Sequence, residues 1–136
     1  MTHATRLKPP DQWTDPRHRR GLQGELAARR LLEAKGWTIE AHRFRVGRHD
    51  LDLVARQGTL VAFIEVKTRS SQRFGAPPES IGWRKRQVLE RLALIWRVRF
   101  GRADDRYRFD VAAVGWDRRT FPQIDHIEDA WRAVER

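Results

Sequence analysis

No cysteine occurs in the 136 residues, which excludes disulfides and any zinc or iron–sulfur centre held by thiolates. No apolar run approaches the ~20 residues that a membrane-spanning helix needs. The first residues, Met1 to Pro10, lack the apolar core of a signal peptide. The five histidines show no metal-ligand spacing, and no glycine-rich loop of the phosphate-cradling or dinucleotide kind is present. Acidic residues are in deficit, 18 Asp and Glu against 28 Lys and Arg, for a formal charge of +10. The expectation is a soluble, cytoplasmic protein with no membrane partner and with an anionic ligand.

What is present supports a single folded unit. A hydrophobic fraction of 40% and six Trp argue for a real core and against disorder. Nearly all the positive charge is arginine, whose planar fork matches phosphate and stacks on bases. That footprint favours nucleic acid over a merely basic surface. Residues 1–20, with Pro9, Pro10, Pro16 and the run Arg17-His18-Arg19-Arg20, read as a flexible basic N-terminal tail. Residues 21–136 read as one domain.

The chain is organised around Asp50 to Arg69. Asp-Leu-Asp-Leu-Val-Ala and Leu-Val-Ala-Phe-Ile-Glu-Val-Lys-Thr-Arg flank a turn at Gly58, the signature of a hairpin. Side chains alternate along strands, which puts Asp50 and Asp52 on one face and Leu51 and Leu53 on the other. In the second strand Glu65 and Lys67 share a face with Val61 and Phe63. The first five residues of that strand are apolar on both faces, as in a strand buried on both sides. Charges at its end, roughly 7 Å apart, are costly unless paired or bound to metal. Two carboxylates with hard oxygen donors suit Mg²⁺ or Mn²⁺, and a lysine beside them can orient water or offset charge developing on a phosphate.

Around this hairpin, Gly21 to Lys35 reads as a helix with Glu25 in its first turn. Trp37 to Val46 reads as a strand carrying Arg43 and Arg45. Ser70 to Ser80 is a loop with Arg69 and Arg73 at its rim. Ile81 to Phe100 is the longest predicted helix, its apolar stripe running through Leu89, Leu92 and Trp96, with Lys85 near its start. Tyr107 to Trp116 is a strand in which Asp110 needs a partner, and an arginine is the expected one. Ile124 to Ile127 reads as a short edge strand, and Asp129 to Val134 as a closing helix with Trp131 docked inward. Trp13, Trp83 and Trp116 find no place in this pattern.

The order Asp-x(12)-Glu-Val-Lys on a hairpin resembles the core of the PD-(D/E)xK nuclease superfamily. The chain is similar in particular to the YraN-like family, endonuclease-like bacterial proteins related to archaeal Holliday-junction resolvases. The matching residues are Gly21-x-x-Gly24-Glu25, Asp50 to Val54, Phe63 to Arg69, Phe74-Gly75, Lys85, Arg108 to Val111, and His126-Ile127 followed by Ala130. Where the family has Gly-Glu, this chain has His49-Asp50. The resemblance implies an α/β fold of restriction-endonuclease type, a mixed central sheet flanked by helices. It implies a Mg²⁺- or Mn²⁺-dependent endonuclease acting on DNA rather than RNA, branched or junction DNA included. Asp52, Glu65 and the main-chain carbonyl of Val66 would hold the metal. Lys67 would orient water, and Glu25 on the first helix would assist. Arg43, Arg45, Arg69, Arg73 and Lys85 would contact nucleic acid. Junction resolvases act as dimers, so a homodimer fits the resemblance. Two other classes remain open at this point. One is a nucleic-acid-binding accessory protein that does not cut, favoured by His49-Asp50. The other is an adaptor in which Asp52 and Lys67 form a structural ion pair.

Overall fold

The computed structural model describes residues 16–69, 81–116 and 122–133. The elements run α1 (Pro16–Ala34), β1 (Thr38–Val46), β2 (His49–Gln57), β3 (Leu60–Arg69), α2 (Trp83–Phe100), β4 (Arg106–Trp116) and β5 (Pro122–Trp131). The five strands lie in one sheet in the order β1-β2-β3-β4-β5. All neighbours are antiparallel except β3 and β4, which are parallel. That parallel pair requires a crossover, which α2 provides. The sheet is therefore mixed and flanked by helices, an α/β arrangement compatible with the restriction-endonuclease type.

Each helix covers one face. Ala28 and Leu32 of α1 pack with Trp37, Leu53, Ala62, Ile64 and Val114. Leu89, Leu92 and Trp96 of α2 pack with Phe44, Leu51, Phe63 and Val111 on the opposite face. β3 sits in the middle, apolar on both sides, and Val61 through Ile64 are at most 1% exposed. The tight turn before it uses Gly58 at φ 61°, a conformation that glycine adopts without steric cost. At this turn end of the hairpin the buried Arg56 forks onto Asp105, 2.6 and 2.8 Å away, and also donates to Glu40. This ties the start of β4 to the β2–β3 turn.

Four expectations are corrected. Helix α1 begins at Pro16, so the last five residues of the basic leader are helical; proline suits a first helical turn, where its missing N–H has no partner to lose. Residues 1–15 lie outside the described part. At 18 residues α2 is not the longest helix, because α1 has 19. No closing helix forms over 129–133. Asp129 to Trp131 form the end of β5, where Trp131 pairs with Phe109 and is 7% exposed. Trp131 does dock inward, but from a strand. A bulge at Asp129, with φ 52°, lets its N–H donate to Asp110 at 3.0 Å.

The fourth correction bears on the site. Leu51 and Leu53 do not share a face: Leu51 packs under α2 and Leu53 under α1. In β1, Ala41 and Phe44 likewise share the α2 face although three residues apart. Register runs from His42↔Leu53 to Phe44↔Leu51, leaving Arg43 and Asp52 at the point where alternation slips. Arg43 has φ 55°, a left-handed conformation uncommon for a residue with a Cβ.

Candidate active site

The slip determines where Asp52 goes. Ladder pairing between β2 and β3 ends at Leu53↔Ile64. One step further, Asp52 Oδ2 accepts the N–H of Val66 at 2.8 Å. The side chain thus replaces the strand partner that this N–H would otherwise have. Asp52 is brought beside Glu65, and the two carboxyls are within hydrogen-bonding reach. Glu65 points to the α2 side, where Nζ of Lys85 lies 4.0 Å from Oε2. Glu65 is 7% exposed, and its Oε2 is buried with no hydrogen-bond donor among the described residues. Lys67, next on the same face of β3, is half-buried and close enough for its charge to act on Glu65.

The electrostatics are those of concentrated negative charge. Burial pushes the Asp52 carboxyl well above its ordinary value, and the charges of Glu65 and Glu25 push it further, against the Val66 N–H. Burial also raises Glu65, although the Asp52 hydrogen bond and the Lys85 and Lys67 charges pull it down. Two close carboxyls in a poorly solvated place cannot both ionise readily, so the pair favours holding a proton between them.

Glu25 reaches the same neighbourhood from α1. Gly24 favours this: a Cβ there would come within 2.6 Å of Thr68 Oγ1, so any other residue would force the Thr68 side chain to shift where the helix seats against the end of β3. Glu25 is 4% exposed. Its oxygens accept from Arg43 Nε at 3.0 Å and Nη2 at 2.7 Å, and His42 Nε2 is 3.4 Å away. Burial works to raise the Glu25 carboxyl, but the contacts from His42 and Arg43 outweigh it and hold it low.

The structure therefore gathers Asp52, Glu65, Lys67 and Lys85, with Glu25 one layer behind on Arg43. Among the described residues no three His, Cys, Asp or Glu side chains converge as a metal cage, so Glu25 does not close a triad with the other two. Arg45 lies apart at the β1–β2 hairpin, half-exposed and forked onto Asp50 at 2.8 Å. Asp50 is thereby turned to Arg45. His49 has no left-handed backbone and pairs in the strand with Val46, so the site geometry does not call for a glycine there. The side chain of Arg69, and all of Arg73 and the Ser70 to Ser80 loop, lie outside the described residues. Asp110 is structural, as expected: it is fully buried and accepts from Arg108 at 2.8 Å, with His126 also at 2.8 Å. Sequence reasoning missed His42. Its only signal is the consecutive polar pair His42-Arg43 inside a strand, which an unbroken alternation would place on opposite faces.

Residues 24–114 match the model of a family described as "Uncharacterised protein family UPF0102". A UPF0102 protein of Moorella thermoacetica is 48% identical over 105 residues, covering 77% of this chain and 88% of the relative. One from Nocardia farcinica is 40% identical over 108 residues, 79% and 85% of the two chains. One from Alkaliphilus metalliredigens is 40% identical over 94 residues, 69% and 82%. The matched span holds Glu25, Arg43, Asp52, Glu65, Lys67 and Lys85. No helix among the described residues is long and apolar enough to cross a membrane.

Proposed function

The chain belongs to the UPF0102, or YraN-like, family, and from that premise we propose that it is a metal-dependent nuclease cutting phosphodiester bonds in DNA in the cytoplasm. One observation carries this: a buried Asp52–Glu65 pair with raised pKa values and a Glu65 oxygen that has no donor among the described residues, beside two lysines. Such a pair costs stability unless a cation or proton neutralises it.

The donor set fits Mg²⁺ or Mn²⁺. Asp52, Glu65 and the Val66 carbonyl are hard oxygen donors, and two carboxylates leave room for water and phosphate, as Mg²⁺ prefers. When bound, such an ion supplies Lewis acidity to a phosphoryl oxygen and lowers the pKa of water. The chain's own residues do the rest. Lys67 orients the attacking water or offsets charge developing on the phosphate. Lys85 holds Glu65 and approaches the phosphate from α2. Glu25 keeps Arg43 in place behind Asp52. Arg45, Arg69 and Arg73 hold the phosphate backbone, which makes binding salt-dependent.

The test is cleavage of labelled linear and branched DNA across a Mg²⁺ or Mn²⁺ series. Metal-dependent cutting is expected in the wild type and lost in Asp52→Ala, Glu65→Ala and Lys67→Ala, with folding and DNA binding largely kept. Wild-type-like cutting by Lys67→Ala would overturn the assignment. A second reading, a DNA-binding protein that does not cut, is favoured by Asp50, which serves Arg45 instead of supporting Asp52. Tight DNA binding indifferent to divalent ions, with no cutting, would establish it.

A further inference from the structure

Among the described residues, three large apolar side chains are exposed, and all are on α2: Trp83 at 64%, Leu94 at 56% and Val98 at 80%. Exposed aliphatic residues such as Leu94 and Val98 are ordinary on protein surfaces. Trp83 differs in place and in company. It opens α2, two residues before Lys85, the cation 4.0 Å from Glu65 Oε2. Two residues of helical rise are about 3 Å, so its backbone lies within one turn of that of Lys85, whose side chain reaches to the carboxylate site. The Arg84 guanidinium lies 5.7 Å from the indole centroid. A large flat apolar face beside a cation, on a chain of net charge +10, matches a base and its phosphate better than it matches another protein surface.

We propose that Trp83 is a stacking platform for an unpaired nucleobase of the DNA, with Arg84 holding the neighbouring phosphate. This rests on the nuclease reading, because it takes the strand on Trp83 to be the one whose phosphate lies at Glu65 and Lys85. Residues two apart on a helix do not face one another. The stacked base is therefore a neighbour of the scissile phosphate along the strand, not the base attached to it. A base inside an intact duplex has both faces covered, so only a single strand, a gap or a branch point offers one to Trp83. Trp83 thus confers preference for unpaired DNA near the cut.

The test uses the full chain carrying Asp52→Asn, so that binding is read without cutting. Fluorescence anisotropy would compare an intact duplex, the same duplex with a gap, and a single strand. Adding Trp83→Ala is expected to weaken binding to the single strand and the gapped duplex about tenfold, with the intact duplex within about twofold. Trp83→Phe should recover most of the loss. Replacing bases of the single strand with abasic residues should abolish the effect of Trp83→Ala on binding, which a merely structural role would not do. An equal loss on all three DNAs, or no loss on any, overturns the platform while leaving the nuclease reading standing. No DNA binding by the Asp52→Asn protein at all overturns both.

Discussion

Arg43, in the left-handed backbone region at φ 55°, closes its guanidinium on Glu25 of α1, with Nη2 2.7 Å from Oε2. The contact joins helix to strand across 18 residues of sequence. It occurs where β1 and β2 slip out of alternation, at the position across from Asp52. The bend that presents Asp52 to Val66 is thus held from the α1 side by one buried ion pair.

Removing that guanidinium leaves the Glu25 carboxylate buried with His42 as its remaining basic neighbour among the described residues. Arg43→Ala should cost about 3 kcal/mol of stability, the scale for stranding one partner of a buried pair. Arg43→Gly should cost about 1 kcal/mol less, since glycine adopts positive φ without the Cβ penalty. This inverts the usual order in strands, where glycine is the worse residue. Urea unfolding followed by circular dichroism checks it; an alanine variant as stable as the glycine variant would show that φ at this position is not constrained.

Asp52 is held where its charge is unfavourable, so the metal-free protein should gain from losing it. Asp52→Asn keeps an oxygen for the Val66 N–H and removes the repulsion with Glu65. At neutral pH and without divalent ions it should be more stable by about 1–2 kcal/mol, or roughly 3–6 °C in Tm. Added Mn²⁺ should raise the Tm of the wild type and not that of the variant. Thermal melts with and without Mn²⁺ decide this, and a destabilised Asp52→Asn protein would count against the proposed charge frustration.

Acid should act in opposite directions on two sets of carboxyls. Hydrogen bonds from Arg56 hold Asp105 far below the usual range. In Asp110 burial pushes upward, but His126 and Arg108 prevail and hold it low. A lowered folded-state pKa gives stability that is complete above the unfolded value, near 4, and is lost as pH falls through the folded one. Asp52 and Glu65 are raised, so their contribution is full below the unfolded value and disappears as pH rises through the folded one. The wild type should therefore lose stability below about pH 4 from Asp105 and Asp110, and its deficit against Asp52→Asn should shrink as pH falls from neutrality toward the unfolded carboxyl value, near 4. Asp105→Asn should flatten the acid limb. Melts from about pH 3 to pH 8 test both, and a deficit that widens on acidification would contradict the raised pKa of the pair.

The hairpin was legible because its information is local. Two-residue alternation, an apolar run and Gly58 specify two strands and a turn wherever the segment ends up, and Glu65 and Lys67 follow onto one face from their spacing alone. The apolar stripes of Ala28–Leu32 and Leu89–Trp96 likewise announced two core-facing helices. The composition of Asp129 to Val134 suits a helix, yet the open edge of β4 and the carboxylate of Asp110 claim the backbone of Asp129 to Trp131 for β5. Nothing near Arg43 in sequence signals positive φ, since that conformation depends on Glu25 arriving from α1. Lys85 over Glu65 and Arg56 on Asp105 are also matches between residues far apart in sequence, the latter across 49 residues. The sequence alone determined which faces are apolar and which residues carry charge, because side-chain periodicity is a property of the local backbone. Which charges meet was decided only by the tertiary structure, because strand register, a slip of alternation and the seating of α1 on β3 at Gly24 set those distances.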